Sequence, residues 1–337
     1  MKYALTLFSI LISITSFSQL KGTISDYSHF EIKLKKDTID FVIADTSLSE
    51  TKPVLLFCQG SQPIPLFIDA GEKGIRPLAL SNFDLNKMKE QYHVVVISMP
   101  KTPIAPSFDK VNRSYSYVLD SSDERSYDPA FHEADYMENY VKRANRVIKF
   151  LLKQKWVDQS ELVIAGHSQG SRIAVGIAHS NKKVTKLGLF GYNPMRRVDQ
   201  LIWKYRKLAV RGEITWEEAD SLQQNIYEFY KQILNDDILE EKPSLKSWRS
   251  FSVSSITQLS NLEIPVYIAF GSRDGVAEYC DVLPLHFAEE GKTNYVIKRY
   301  PNLEHNFFPL DKNLQPDYAN GKWAEVMNSF IEWSNDE

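Results

Sequence analysis

Residues 161–177 read ELVIAGHSQGSRIAVGI. Leu162, Val163, Ile164 and Ala165 form a continuous apolar run that suits a buried parallel strand. From Gln169 onward a small-residue amphipathic segment suits a helix. Between them lies Gly166-His167-Ser168-Gln169-Gly170, a G-x-S-x-G pentapeptide. Two glycines allow a strand to reverse into a helix with almost no loop. Such a turn forces its middle residue into strained backbone geometry and lifts that side chain clear of the sheet. Ser168 Oγ then sits at the positive end of a helix, and the N–H of Gln169 faces the same space as a donor for an oxyanion. The bland alternative is a serine that merely caps an ordinary helix. The flanking segments decide between the two.

Upstream, residues 53–58 (PVLLFC) make a second buried strand that runs into Gln59-Gly60-Ser61-Gln62-Pro63. A backbone N–H approaches a ligand closely only where side chains are small, so Ser61 N–H is the candidate second oxyanion donor, with Gly60 making the turn. Before this strand, residues 29–34 and 38–44 read as an antiparallel hairpin at the sheet edge. After it, residues 83–91 read as a helix capped by Ser81 or Asn82, and residues 92–99 (YHVVVISM) as a strand. The segment from 101 to 131, rich in Pro, Ser, Asp and Tyr, is either a wall of the substrate site or a solvated excursion. Residues 133–153 read as one long helix whose cations face solvent.

Downstream, residues 186–192 (KLGLFGY) give the next strand. Strands and helices alternating in this way call for a mostly parallel, doubly wound sheet with right-handed crossovers. The alternation then breaks. Residues 195–260 are helical and aromatic-rich, with Thr215 and Glu218 spaced as a capping box, and read as a helical cap inserted over the strand ends. Its aromatics are expected to form mainly the cap's own core and its contact with the sheet. Residues 265–270 resume the sheet, followed by Gly271-Ser272-Arg273-Asp274-Gly275, a helix over 276–290, a strand over 294–300, the Glu304-His305 loop and a closing helix over 320–333.

A serine hydroxyl needs a base, and the base needs a carboxylate to fix its tautomer and stabilise its charge. Ser168, Asp274 and His305 each follow a predicted strand directly, in the chain order Ser, Asp, His. His305 is the one histidine on a loop downstream of the acid, and Glu278 and Asp281 stand as fallback acids.

From residue 50 to the C-terminus the chain resembles the α/β-hydrolase superfamily. The resemblance rests on Gly166-His167-Ser168-Gln169-Gly170, Gly271-Ser272-Arg273-Asp274 and Glu304-His305. It implies an eight-stranded, mostly parallel sheet flanked by helices. It also implies Ser168 as nucleophile, His305 as base and Asp274 as its partner, with no metal and no organic cofactor. The loop Gln59-Gly60-Ser61 departs from the His-Gly of many members, and residues 195–260 match no substrate family's cap.

The chain has 337 residues, 43% hydrophobic and 25% charged, with a net charge of -3. This composition suits a soluble globular protein and argues against nucleic acid as its main partner. Met1-Lys2, the apolar residues 3–17 and small residues at 16 and 18 make a secretory signal peptide over residues 1–18. The expected mature protein, residues 19–337, is exported to the periplasm or the outside and carries no stable membrane anchor. Cys58 and Cys280, the only cysteines, are read as free and buried.

These readings converge on a secreted serine hydrolase cleaving a small-molecule acyl substrate, most simply a carboxylic ester. Serine peptidase, thioesterase and acyltransferase activities use the same three residues, and a non-catalytic binding protein on this fold is the alternative from another class. Neither the substrate nor the oligomeric state is encoded in a readable pattern.

Overall fold

Leu162 and Ile164 point into one apolar layer and Val163 and Ala165 into the other, so the central strand is buried on both faces. The computed structural model describes residues 18–336. The expected leader, residues 1–18, lies outside the described residues but for Ser18. The strands are β1 (Ser18–Ile24), β2 (Tyr27–Lys33), β3 (Thr38–Ile43), β4 (Lys52–Cys58), a small ribbon of β5 (Phe67–Asp69) and β6 (Ile75–Pro77), β7 (His93–Ile97), β8 (Val157–His167), β9 (Lys186–Phe190), β10 (Val266–Gly271) and β11 (Tyr295–Tyr300).

Nine of them form one sheet in the order β1-β2-β3-β7-β4-β8-β9-β10-β11. The first three pairings are antiparallel, and from β7 to β11 every pairing is parallel. The chain winds outward from β4 to β7, then crosses back to β8 on the other side of β4. That reversal between β4 and β8 opens a crevice at the strand C-termini, where ligands of open α/β sheets bind. The eight strands implied by resemblance become nine because β1 adds to the antiparallel edge. Its pattern is hard to read, since Gly22 sits at φ 126 and a register shift separates Leu20 from Gly22.

The helices are α1 (Leu85–Gln91), α2 (Pro129–Ala134), α3 (Met137–Leu151), α4 (Gln169–Ser180), α5 (Arg197–Val210), α6 (Trp216–Ile233), α7 (Asp236–Glu241), α8 (Leu245–Ser250), α9 (Ile256–Ser260), α10 (Ala277–Asp281), α11 (Leu283–Glu289) and α12 (Trp323–Asp336). Three sequence expectations are corrected here. Asp84, not Ser81 or Asn82, caps α1 by accepting from Lys87 N. The helix expected over 133–153 is broken: Asp135 and extended Tyr136 separate α2 from α3. The helix expected over 276–290 is broken at Val282, because Pro284 has no N–H to continue the ladder and sits instead in the first turn of α11.

Helices α5 to α8 fill the long excursion between β9 and β10, while Leu259 of α9 packs into the main core. The Thr215–Glu218 capping box closes with both reciprocal bonds, at 2.8 and 3.1 Å. Trp203, Trp216 and Tyr227 are more than 40% exposed rather than forming a cap core; Phe229 and Trp248 do pack edge to face. Cys58 and Cys280 are buried free thiols. Among the described residues, no helix is long and apolar enough to cross a membrane.

Helix α12 closes the second face. Phe330 is fully buried between Phe190, Tyr267 and Trp333, and a Cβ on Gly188 would stand 2.6 Å from its ring. Glycine at 188 is therefore what lets α12 approach the sheet. Removing the ring leaves a cavity that this close packing cannot collapse. Phe330→Ala is expected to destabilise the fold by about 3–5 kcal/mol, read as a lower midpoint at unchanged m-value in denaturant unfolding.

Candidate active site

β8 ends at His167 and α4 begins at Gln169, so Ser168 alone makes the turn. Its backbone sits at φ 57 and ψ -123, an unfavourable region for a residue with a Cβ. The flanking glycines are sterically required. A Cβ on Gly166 would run into the backbone of Gly170, and a Cβ on Gly170 would run into the carbonyls of Cys58 and Gln59. Ser168 N donates to Phe190 O at 2.9 Å, which ties the turn to the next strand.

His305 arrives on the loop after β11. Its Nε2 lies 2.8 Å from Ser168 Oγ, and its Nδ1 lies 2.9 and 3.0 Å from the two oxygens of Asp274. Asp274 is 4% exposed and also accepts from Val276 N at 3.0 Å. Burial pulls the His305 imidazole down in pKa. The hydrogen bond and charge of Asp274, with the charge of Glu304, outweigh this and leave it above the ordinary value of 6.5. The fallback acids are occupied elsewhere: Glu278 pairs with Lys207 and Asp281 with Arg299.

His167 is a further part of the site. Its Nε2 donates to the carbonyl of His305 at 2.9 Å, and its ring packs edge-on against Trp323 and beside the His305 ring. Burial and the neighbouring His305 hold its pKa down at about 3, so it stays neutral and keeps that donor oriented.

Gln169 and Ser61 both line the cavity that contains Ser168 and His305, as an oxyanion pair requires. A Cβ on Gly60 would stand 3.6 Å from Ser168 Cβ, so the 59–62 loop is close against Ser168. This loop is held by the 101–131 segment. Ser116 Oγ donates to Gln62 Oε1 at 2.8 Å, and Tyr117 N donates to Pro63 O at 2.9 Å. No residue of 101–131 lines the cavity, so the segment braces the loop rather than walling the pocket.

The sequence profile of the family described as serine aminopeptidase, S33, matches residues 126–313, more than half of the chain. The chain belongs to this α/β-hydrolase family. It is a hydrolase, with the mostly parallel sheet and flanking helices of that fold. A thermostable carboxyl esterase from Bacillus coagulans is structurally similar, with TM-score 0.53 and 14% identity over 92% of this chain and 98% of that one. E-2-(acetamidomethylene)succinate hydrolase gives TM-score 0.52 and 13% identity over 92% and 100%. The acylaminoacyl peptidase of Pyrococcus horikoshii gives TM-score 0.53 and 13% identity over 90% of this chain but 41% of that one. At these identities the likeness is one of fold. No curated protein sequence matches the chain.

In this hydrolase the cavity measures about 440 Å³. Its outer wall is α5, and Phe251 is its one aromatic lining residue. The break after α2 frees Asp135, whose carboxylate accepts from Tyr140 Oη at 2.8 Å and Gln169 Nε2 at 3.2 Å, fixing the residue next to the serine. Arg172 of α4 donates to the carbonyls of Asn193, Met195 and Val253, fastening the start and end of the inserted helices to the serine helix.

Gly191, which directly follows β9, carries no motif that marks it in the sequence. It sits at φ 53, and a Cβ there would stand 3.0 Å from His305 Cε1, 3.1 Å from Nδ1 and 3.3 Å from Asp274 Oδ2. Gly191→Ala is expected to cost about 1–2 kcal/mol of stability from the left-handed backbone. It is also expected to lower kcat by up to ~10²-fold by displacing the His305–Asp274 pair. Thermal unfolding and steady-state kinetics on an ester check the two effects.

Proposed function

We propose that the protein is a serine hydrolase cleaving carboxylic esters through an acyl-enzyme intermediate, with Ser168 as nucleophile, His305 as base and Asp274 as its partner. The observation that carries this reading is the continuous hydrogen-bonded line from Ser168 Oγ through His305 to Asp274.

In the first step Ser168 Oγ bonds to the substrate carbonyl carbon while His305 Nε2 takes the hydroxyl proton. Asp274 holds Nδ1–H and stabilises the imidazolium. The carbonyl oxygen becomes an oxyanion on the N–H groups of Gln169 and Ser61. The first of these lies at a helix start, where backbone donors have no intrahelical partner. Collapse expels the alcohol, protonated by His305. Water, deprotonated by the same imidazole, then releases the acid and restores Ser168.

Peptidase action is the second reading, favoured by the family description. An aminopeptidase must hold a substrate ammonium, which calls for a free carboxylate beside the nucleophile. Among the described residues, the only carboxylate lining this cavity is Asp274, already engaged with His305. That favours esters. Residues 1–18 have the pattern of a cleaved leader, so we place the mature enzyme outside the cytoplasm.

Kinetics on 4-nitrophenyl esters of graded chain length, beside aminoacyl 4-nitroanilides, test the reading. Turnover of esters over anilides is expected, with kcat reduced by about 10³-fold or more in Ser168→Ala and His305→Ala. Anilide turnover exceeding that of esters would establish the peptidase instead. Because only neutral His305 accepts the proton, and its pKa is raised, the acid limb of kcat/KM should have its midpoint above pH 6.5.

A further inference from the structure

Helix α5 buries Val198 and Ala209 against the fold and turns a separate, cationic stripe toward the cavity. Its outward side exposes Trp203 and Val210, at 43% and 73%, while Arg197, Lys204, Lys207 and Arg211 line the cavity. Positions 197, 204, 207 and 211 fall on one stripe at 3.6 residues per turn. The cations therefore line the site by geometry, not by a chance excursion of long side chains.

Their counterions are unequal. Lys207 pairs with Glu278 at 2.6 Å and Arg211 with Glu213, both toward the exposed C-terminal end of the helix. Arg197, deeper in, donates to Ser247 Oγ at 3.2 Å and lies 4.2 Å over the Trp248 ring. The carboxylate whose charge acts on it is that of Asp135, which already serves Tyr140 and Gln169. Lys204, two turns along and about 10 Å away by helical rise, has no ion pair or hydrogen bond among the described residues. Across the cavity Arg172 adds a further guanidinium, committed to backbone carbonyls that bear no full charge. Against these five cations the lining supplies, among the described residues, one carboxylate, Asp274, bonded to His305.

We propose that the substrate of this site carries a negatively charged group besides its scissile ester, bound between Arg197 and Lys204 on the inner stripe of α5. The proposal rests on the ester-hydrolase reading and narrows it. Carboxylate, sulfate and phosphate groups share the chemistry that such a wall recognises, with the guanidinium offering paired donors and the ammonium a mobile point charge. A cleft lined by one sign of charge also concentrates ligands of the opposite sign at its mouth. The same wall repels a free ammonium. It does not discriminate among neutral esters.

Three chromogenic butanoate-sized substrates test it on the mature protein: 4-nitrophenyl butanoate, the mono-4-nitrophenyl ester of glutaric acid, and 3-butanoyloxy-4-nitrobenzoate. The second carries a carboxylate on the acyl side, the third on the alcohol side. One of the anionic esters is expected to exceed the neutral one at least ~10-fold in kcat/KM, and which one it is assigns the side of the anion. The ratio of anionic to neutral kcat/KM is expected to fall ~10-fold in Lys204→Glu and in Arg197→Gln, and to shrink in wild type as salt screens the cavity. Lys204 is exposed, so its variant keeps the test open if Arg197→Gln does not fold. Sulfate and phosphate monoester analogues as competitive inhibitors then rank the anions. Hydrolysis of the neutral ester at a rate equal to or above both anionic ones, with the ratio unmoved in Lys204→Glu, overturns the proposal while leaving the ester-hydrolase reading intact. No turnover of any of the three esters by folded wild type overturns both.

Discussion

One residue's backbone holds this structure to its shape. Ser168 occupies φ 57 and ψ -123, a conformation that costs on the order of 1–3 kcal/mol and persists only where its surroundings over-determine it. Those surroundings are specific. The parallel register of β8 between β4 and β9 fixes where the strand ends. Gly170 then lets α4 start against the carbonyls of Cys58 and Gln59, and Ser168 N is tied to Phe190 O. Both apolar layers of the sheet contribute, since β8 is buried on each face. The core therefore stabilises a local strain that exposes one hydroxyl.

The remaining groups reach that hydroxyl by close backbone approach. Gly271 lacks a Cβ where Leu303 O passes, which lets the His305 loop cross the end of β10. Gly191 does the same beneath the His305–Asp274 pair. His167 then grips the His305 carbonyl from inside the serine turn, so Ser168 and His305 are positioned by one element. The oxyanion-side loop is secured from the other direction, by Ser116 and Tyr117. The 59–62 loop and the Ser168 turn leave the C-termini of β4 and β8 at the reversal, and the Asp274 and His305 loops leave the same ends of β10 and β11, so the site follows from the winding order.

The parts legible in the sequence are those with short-range causes. A continuous apolar run, a glycine pair and a small-residue helix suffice to find the turn at Ser168. Strand-loop positions suffice to select Asp274 and His305, which the structure brings into one hydrogen-bonded line. What was missed depends on contacts between distant segments. The break at Asp135–Tyr136 has no Gly or Pro to announce it and is held by partners far along the chain, including Gln169. The bracing role of 101–131 lies in Ser116 meeting Gln62, which no periodicity reveals. The cations of α5 carry no signal in the sequence, because only the fold turns that stripe toward the cavity. The Pro284 break was legible in principle, since proline inside a helical pattern is a stop signal.

The proposed chemistry requires Ser168 to be an activated nucleophile. Reaction of the folded protein with a fluorophosphonate, followed by intact mass measurement and peptide mapping, tests this most directly. The account predicts a single adduct on Ser168 that disappears in His305→Ala while the variant keeps its thermal unfolding transition. Failure of folded wild type to react, or an adduct on any other residue, would contradict it.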